Sequence, residues 1–170
     1  MKFSQCLCAL LVMGMMNVGG GEEANKSTYV WQCENCTAPL IPHNGGIICI
    51  TVNKTRYCKP MCNKHYDFAF LRRSRPFEKC GPANDYEWTT QYIGGNRLAE
   101  CIESHHTSFI SGLKVDYFRD TCEKERHKSE MHINKLWRTV KKAVMKTPIE
   151  DENCVKNHCF NPYYHCGKEF

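Results

Sequence analysis

Residues 36–49 read CTAPLIPHNGGIIC, and this stretch indicates which kind of fold to expect. Two cysteines, separated by twelve residues, enclose two prolines, an Asn-Gly pair and a short apolar run. Proline is disfavoured inside helices, and Asn-Gly is a strong signal for a tight turn between strands. The stretch is therefore typical of a small, disulfide-stapled β module.

The composition of the whole chain agrees with that interpretation. The 170 residues include 13 cysteines, a content typical of disulfide-rich secreted proteins. The formal net charge of +5 at pH 7 is modest and does not indicate a nucleic-acid partner. We therefore expect an extracellular protein whose thiols pair in an oxidising compartment.

The N-terminus has the layout of a cleaved signal peptide. A positive start is followed by the apolar run CLCALLVMGMM at residues 6–16 and then by small residues. We predict a signal peptide at 1–20 and a linker at 21–32. Removal of Cys6 and Cys8 would leave an odd number of cysteines, 11, so that one thiol is free or bonds to a second molecule, as in a covalent dimer.

The remaining chain divides at about residue 103. Residues 33–102 are dense in cysteine and proline, and their apolar runs GIICITV, YDFAF and EWTTQYI have strand-like composition. Residues 103–170 differ, because five apolar residues recur there at helical spacing. These are Ile133, Leu136, Trp137, Val140 and Val144. We predict an all-β module at 33–102 and an α-helical, cysteine-containing C-terminal region at 103–170.

The C-terminal region contains a weaker pattern as well. Apolar residues between Ile110 and Cys122 predict a second helix, which would be the partner that buries Trp137 and Leu136. Thr147-Pro148 would end the main helix. Residues 149–170 are predicted to be loop that carries cysteines.

The order of six cysteines resembles a known family. The spacing is C36-x12-C49-x8-C58-x3-C62-x17-C80-x20-C101, with Trp88 between the last two cysteines. This pattern is similar to the sushi, or complement control protein, module of the six-cysteine kind. Such modules occur in selectins and in the sushi, von Willebrand factor A, EGF and pentraxin domain protein.

The resemblance implies a fold and a set of disulfides. The implied pairs are Cys36–Cys80, Cys49–Cys58 and Cys62–Cys101, with Trp88 as the main core residue. The span from Trp88 to Cys101 is longer than is usual in the family. For this reason we carry no complement-binding surface over to this chain.

Five cysteines of the mature chain lie outside the implied pairs: Cys33, Cys122, Cys154, Cys159 and Cys166. We expect Cys122 to pair within 154–166, whereas Cys33 is either the odd thiol or a tie between module and tail. Zinc binding by His158, Cys159, His165 and Cys166 is the alternative, but the spacing lacks a paired C-x2-C knuckle and secretion favours disulfides. We predict no catalytic residue, no metal and no cofactor.

The predicted function is that of a secreted, non-catalytic protein-binding or adhesion-type factor. The alternative is a protein that binds glycosaminoglycans or membrane surfaces through the basic helix at 132–146. Its candidate side chains are Lys135, Arg138, Lys141, Lys142 and Lys146. An ordinary solvated helix face would show the same pattern. Asn25 and Asn53 fit the N-glycosylation acceptor pattern.

Overall fold

The computed structural model describes residues 35–93, 95–106, 109–144 and 160–170. Within these ranges the chain forms six strands and one α-helix, which we number in chain order. They are β1 (Gly45–Val52), β2 (Thr55–Cys62), β3 (Tyr66–Phe68), β4 (Glu78–Cys80), β5 (Cys101–Glu103), α1 (Ser129–Val144) and β6 (Phe160–Cys166). An antiparallel sheet has the order β4-β2-β1-β6, and β3 pairs with β5 in a second, two-stranded sheet.

The β1–β2 hairpin is the centre of the main sheet. Its turn residues Asn53 and Lys54 have φ values of 47° and 61°, the left-handed conformation that suits a two-residue hairpin turn. Every residue of β1 is buried, because the sheet is covered on both faces. Ile48, Ile50 and Val52 belong to one core cluster, and Ile47 belongs to another.

Helix α1 covers one face of this sheet. Its buried apolar residues are Ile133, Leu136, Trp137 and Val140, which confirms the predicted stripe except at the exposed Val144. They share a core cluster with β1 residues, so the helix packs on the sheet. The expected helical partner around Leu113 and Tyr117 is therefore wrong.

Residues 110–122 contain no α-helix, although their apolar spacing predicted one. They contain a short 3₁₀ turn at Lys114–Asp116. Around it, the Ile110 and Ser111 amides donate to the Asp67 carboxylate, both at 3.3 Å, and the Phe118 amide donates to the Cys62 carbonyl at 2.9 Å. In a helix these amides would donate to carbonyls of the same segment. Here they donate to groups that are distant in sequence.

The other face of the sheet packs around Trp88. Its neighbours in the core cluster include Leu98, and its indole Nε1 donates to the Thr37 carbonyl at 2.7 Å. Residues 87–93, which were expected to form a strand, form none.

Four disulfides join the described residues. Three of them are the pairs that the resemblance implied: the long bridge Cys36–Cys80, the hairpin bridge Cys49–Cys58 and the middle bridge Cys62–Cys101. The fourth, the C-terminal bridge, joins Cys122 to Cys166 and so ends in the segment expected for the partner of Cys122. Cys33, Cys154 and Cys159 lie outside the described residues.

The last strand was not expected, since residues 149–170 were predicted to be loop. Instead β6 adds to β1 as a strand of the main sheet. The register shifts between Cys49 and Thr51, where Asn161 and Pro162 lie opposite a single β1 residue. A bulge of this kind accommodates proline, which has no amide hydrogen for the ladder. The described parts of 33–102 and 103–170 therefore share one sheet.

Candidate functional site

Four apolar side chains from two loops form an exposed apolar cluster on the side of the module that contains Trp88. We call Phe70, Leu71, Tyr92 and Ile93 the apolar surface. Phe70, Leu71 and Ile93 are exposed, and Tyr92 is half-buried. Contiguous exposed apolar groups on a folded protein commonly mark a binding surface.

Direct contacts hold the two loops together. The Phe70 and Tyr92 rings meet edge to face at 5.3 Å, and the Gln91 side-chain amide donates to the Leu71 carbonyl at 3.2 Å. The Arg97 guanidinium lies 5.5 Å from the centroid of the Tyr92 ring. The apolar surface is therefore fixed before any partner arrives, which reduces the entropy cost of binding.

A buried ion pair anchors the loop that follows Leu71. The Arg72 guanidinium donates to the Glu78 carboxylate at 3.0 Å and to the Leu98 carbonyl at 2.9 Å. Arg75 contacts the same carboxylate at 2.7 Å. Burial lowers the pKa of Arg72, and Glu78 opposes that shift. Breaking this buried pair would leave an uncompensated charge in the interior, which is strongly unfavourable. The ion pair therefore fixes the base of the loop.

A cavity of about 440 Å³ adjoins the apolar surface. Tyr92 and Ile93 belong to both, so the cavity opens beside the half-buried Tyr92 ring and the exposed Ile93. The other lining residues are Thr37, Tyr86, Glu87, Trp88, Thr90, Gly95 and Asn96. Its size and aromatic lining suit an apolar or aromatic side chain inserted by a protein partner.

Of the five basic residues predicted to bind glycans, four lie in the described part of the chain and three of these are exposed on α1. Lys135, Arg138 and Lys142 are exposed on α1. The Lys141 ammonium instead lies 5.8 Å from the centroid of the Trp137 ring. Lys146 falls outside the described residues, so glycan binding by this helix stays a prediction.

One of the two N-glycosylation candidates, Asn53, lies in the described part of the chain. Asn53 is exposed at the tip of the β1–β2 hairpin, where a glycan would point away from both cores. Asn25 lies outside the described residues. Glycosylation of either residue stays a prediction.

Two of the four candidate zinc ligands, His165 and Cys166, lie in the described part of the chain. Cys166 is bonded to Cys122, and His165 stacks on Tyr163 with ring centroids 4.0 Å apart. His158 and Cys159 lie outside the described residues. In the part of the chain that the structure describes, no group of three His, Cys, Asp or Glu side chains is placed to hold a metal ion. The described helix is also too short and too polar to span a membrane.

Comparisons with protein-family models, curated proteins and solved structures find no match to this chain. The resemblance to sushi modules therefore rests on the cysteine order, Trp88 and the three shared pairs. The sequence did not single out the apolar surface. Its one signal was the unusually long span from Trp88 to Cys101, which supplies Tyr92 and Ile93.

Proposed function

We propose that this chain is a secreted, non-catalytic protein-binding module whose contact residues are those of the apolar surface. The observation that carries the proposal is the exposure of Phe70, Leu71 and Ile93 on loops that are already fixed to each other. The disulfide content supports an extracellular setting, where thiols pair by default.

The expected partner is a folded extracellular protein with an apolar or aromatic side chain at the centre of its own contact surface. That side chain would enter the cavity beside Tyr92, while the loops exclude water around it. Interfaces of this kind draw most of their affinity from a few aromatic and arginine residues. Tyr92 and Arg97 are therefore the expected hot-spot residues.

Site-specific photo-cross-linking tests the proposal. A photo-reactive amino acid at Ile93 should form a discrete adduct with a protein of extracellular fluid, and the same group at Val115 should not. The adduct partner is then identified and purified. Leu71→Ser should weaken its binding about tenfold or more, which corresponds to about 1.4 kcal/mol.

Val115→Ser is the matched control, because Val115 is 61% exposed and Leu71 is 60% exposed. The control should bind like the unaltered chain. Equal cross-linking from positions 93 and 115, or equal loss of affinity in the two serine variants, would contradict a contact through the apolar surface.

A further inference from the structure

A second concave surface, which shares no residue with the apolar surface, concentrates positive charge. It is a groove of about 860 Å³ that is lined by residues 63–67, 103–106, 109, 114 and 117–119. We call it the basic groove. Its cationic and imidazole side chains are Lys64, His65, His105, His106, Lys114 and Arg119.

The charges in the basic groove are unbalanced. Lys64, Lys114 and Arg119 are exposed, and none of them forms an ion pair within the described part of the chain. Two carboxylates line the groove, Asp67 and Glu103. Asp67 is buried and accepts from the Phe68, Ile110 and Ser111 amides and from the Tyr117 hydroxyl. This carboxylate is already saturated by donors. The lining therefore presents three cations without ion pairs and one exposed acid, Glu103, while the exposed Glu169 accepts from the Asn63 side-chain amide at 3.5 Å beside the lining.

The walls of the basic groove are fixed to one another. The Lys64 amide donates to the Asp120 carbonyl at 2.8 Å, and the Ser104 amide donates to the His65 carbonyl at 2.9 Å. The middle bridge joins the chain just before Lys64 to the chain just before Glu103. A ligand would therefore find its cationic partners already positioned.

Aromatic rings lie among these charges. The Phe109 and Tyr117 rings both line the basic groove, with centroids 4.5 Å apart. The exposed Phe109 ring offers a surface for the C–H faces of a sugar, and the cationic side chains beside it offer partners for the sugar's acidic substituents. The volume of the groove lies within the usual range for ligand sites, roughly 300–1,000 Å³.

We propose that the basic groove binds a segment of sulfated glycosaminoglycan. An extended acidic peptide fits less well, because peptide recognition draws on main-chain hydrogen bonds. Here the amides of Lys64, Tyr66 and Ser104 already donate to carbonyls of this chain. Sulfate groups need only the charged side chains, which form strong hydrogen bonds to anionic oxygens. This proposal does not depend on the protein partner of the apolar surface.

Binding of a heparin-derived hexasaccharide, measured by calorimetry at about 0.15 M salt, tests the proposal. The double variant Lys64→Glu, Arg119→Glu should lose about tenfold or more in affinity. Its matched control is Lys135→Glu, Lys142→Glu on α1, which makes the same change in net charge. The control should change affinity by less than about threefold, because longer-range charge effects are screened at this salt concentration.

Two results would overturn the assignment. One is an equal or larger loss in the helix variant, which would move the site to α1. The other is binding of a polyglutamate peptide that competes fully with the hexasaccharide, which would replace a glycan by an acidic protein segment. Circular dichroism shows whether each variant is folded, and Lys114→Ala provides a milder substitution in the same groove.

Discussion

Truncation of Trp137 measures how much the helix contributes to the stability of the sheet. The side chain is 2% exposed and belongs to the cluster that joins α1 to β1. Burying an aromatic side chain removes roughly 150–250 Å² from water, which is about 4–6 kcal/mol at 25 cal/mol per Å². Measured truncations of buried aromatic residues fall near 3–5 kcal/mol. We expect Trp137→Ala to lower the free energy of unfolding by about 3–5 kcal/mol.

The assay is urea denaturation followed by far-UV circular dichroism, with all disulfides intact. The midpoint should fall while the slope stays nearly constant, since the mutation changes stability more than compactness. Met131→Ala is the control, because Met131 lies on the same helix and is 39% exposed. Its cost should be within about 1 kcal/mol. A Trp137→Ala cost no larger than that of the control would refute packing of this helix on the sheet and leave its stripe available to a partner.

Three further predictions concern bridges, pH and backbone packing. Removing the hairpin bridge, with a sequence separation of 9, should cost about 2.6 kcal/mol, whereas removing the long bridge, with a separation of 44, should cost about 4 kcal/mol. Melting temperatures of the double-alanine variants in the reverse order would contradict this. Burial lowers the pKa of His132, against the raising effect of Glu125, so the unfolded chain takes up a proton first and stability should fall as the pH drops below 6.5. His132→Gln should flatten that decline in denaturation curves, and parallel pH profiles would show that His132 is not its source. Gly46→Ala should destabilise by about 1–3 kcal/mol, because its Cβ would contact the Cys122 sulfur and lie 2.8 Å from the His165 carbonyl oxygen; Gly95→Ala, whose nearest contact is 3.6 Å, should melt like the parent chain.

The sequence predicted α1 because a long amphipathic stripe is a local signal. Ile133, Leu136, Trp137 and Val140 are all buried, as their spacing indicated. The same reasoning failed over residues 110–122, where Leu113 is exposed and Tyr117 is buried by a different contact. There the backbone is held by Asp67, which is more than 40 residues away in sequence. The spacing of apolar residues cannot predict a hydrogen-bond partner that is so distant in sequence.

Strand β6 was missed for a related reason. Its sequence, FNPYYHC, has an interrupting proline and no clean alternation, so it resembles loop when considered alone. Pairing with β1 and the bridge from Cys166 to Cys122 supply the structure that local propensity does not. The three cysteine pairs of the module could be predicted from the sequence because the family resemblance implies which distant cysteines pair. Local propensity does not indicate such pairs.

The two proposed binding surfaces could not be found from sequence because each is assembled from separate loops. Tyr92 lies more than 20 residues from Phe70, yet their rings touch, and the basic groove joins stretches on either side of the middle bridge. Strands β1 and β2 are buried and leave few side chains for recognition. Bridges hold the loops around this buried sheet, and loops held in this way can present recognition residues at little entropic cost. The disulfides that stabilise this fold therefore also determine which loop residues meet at its surface.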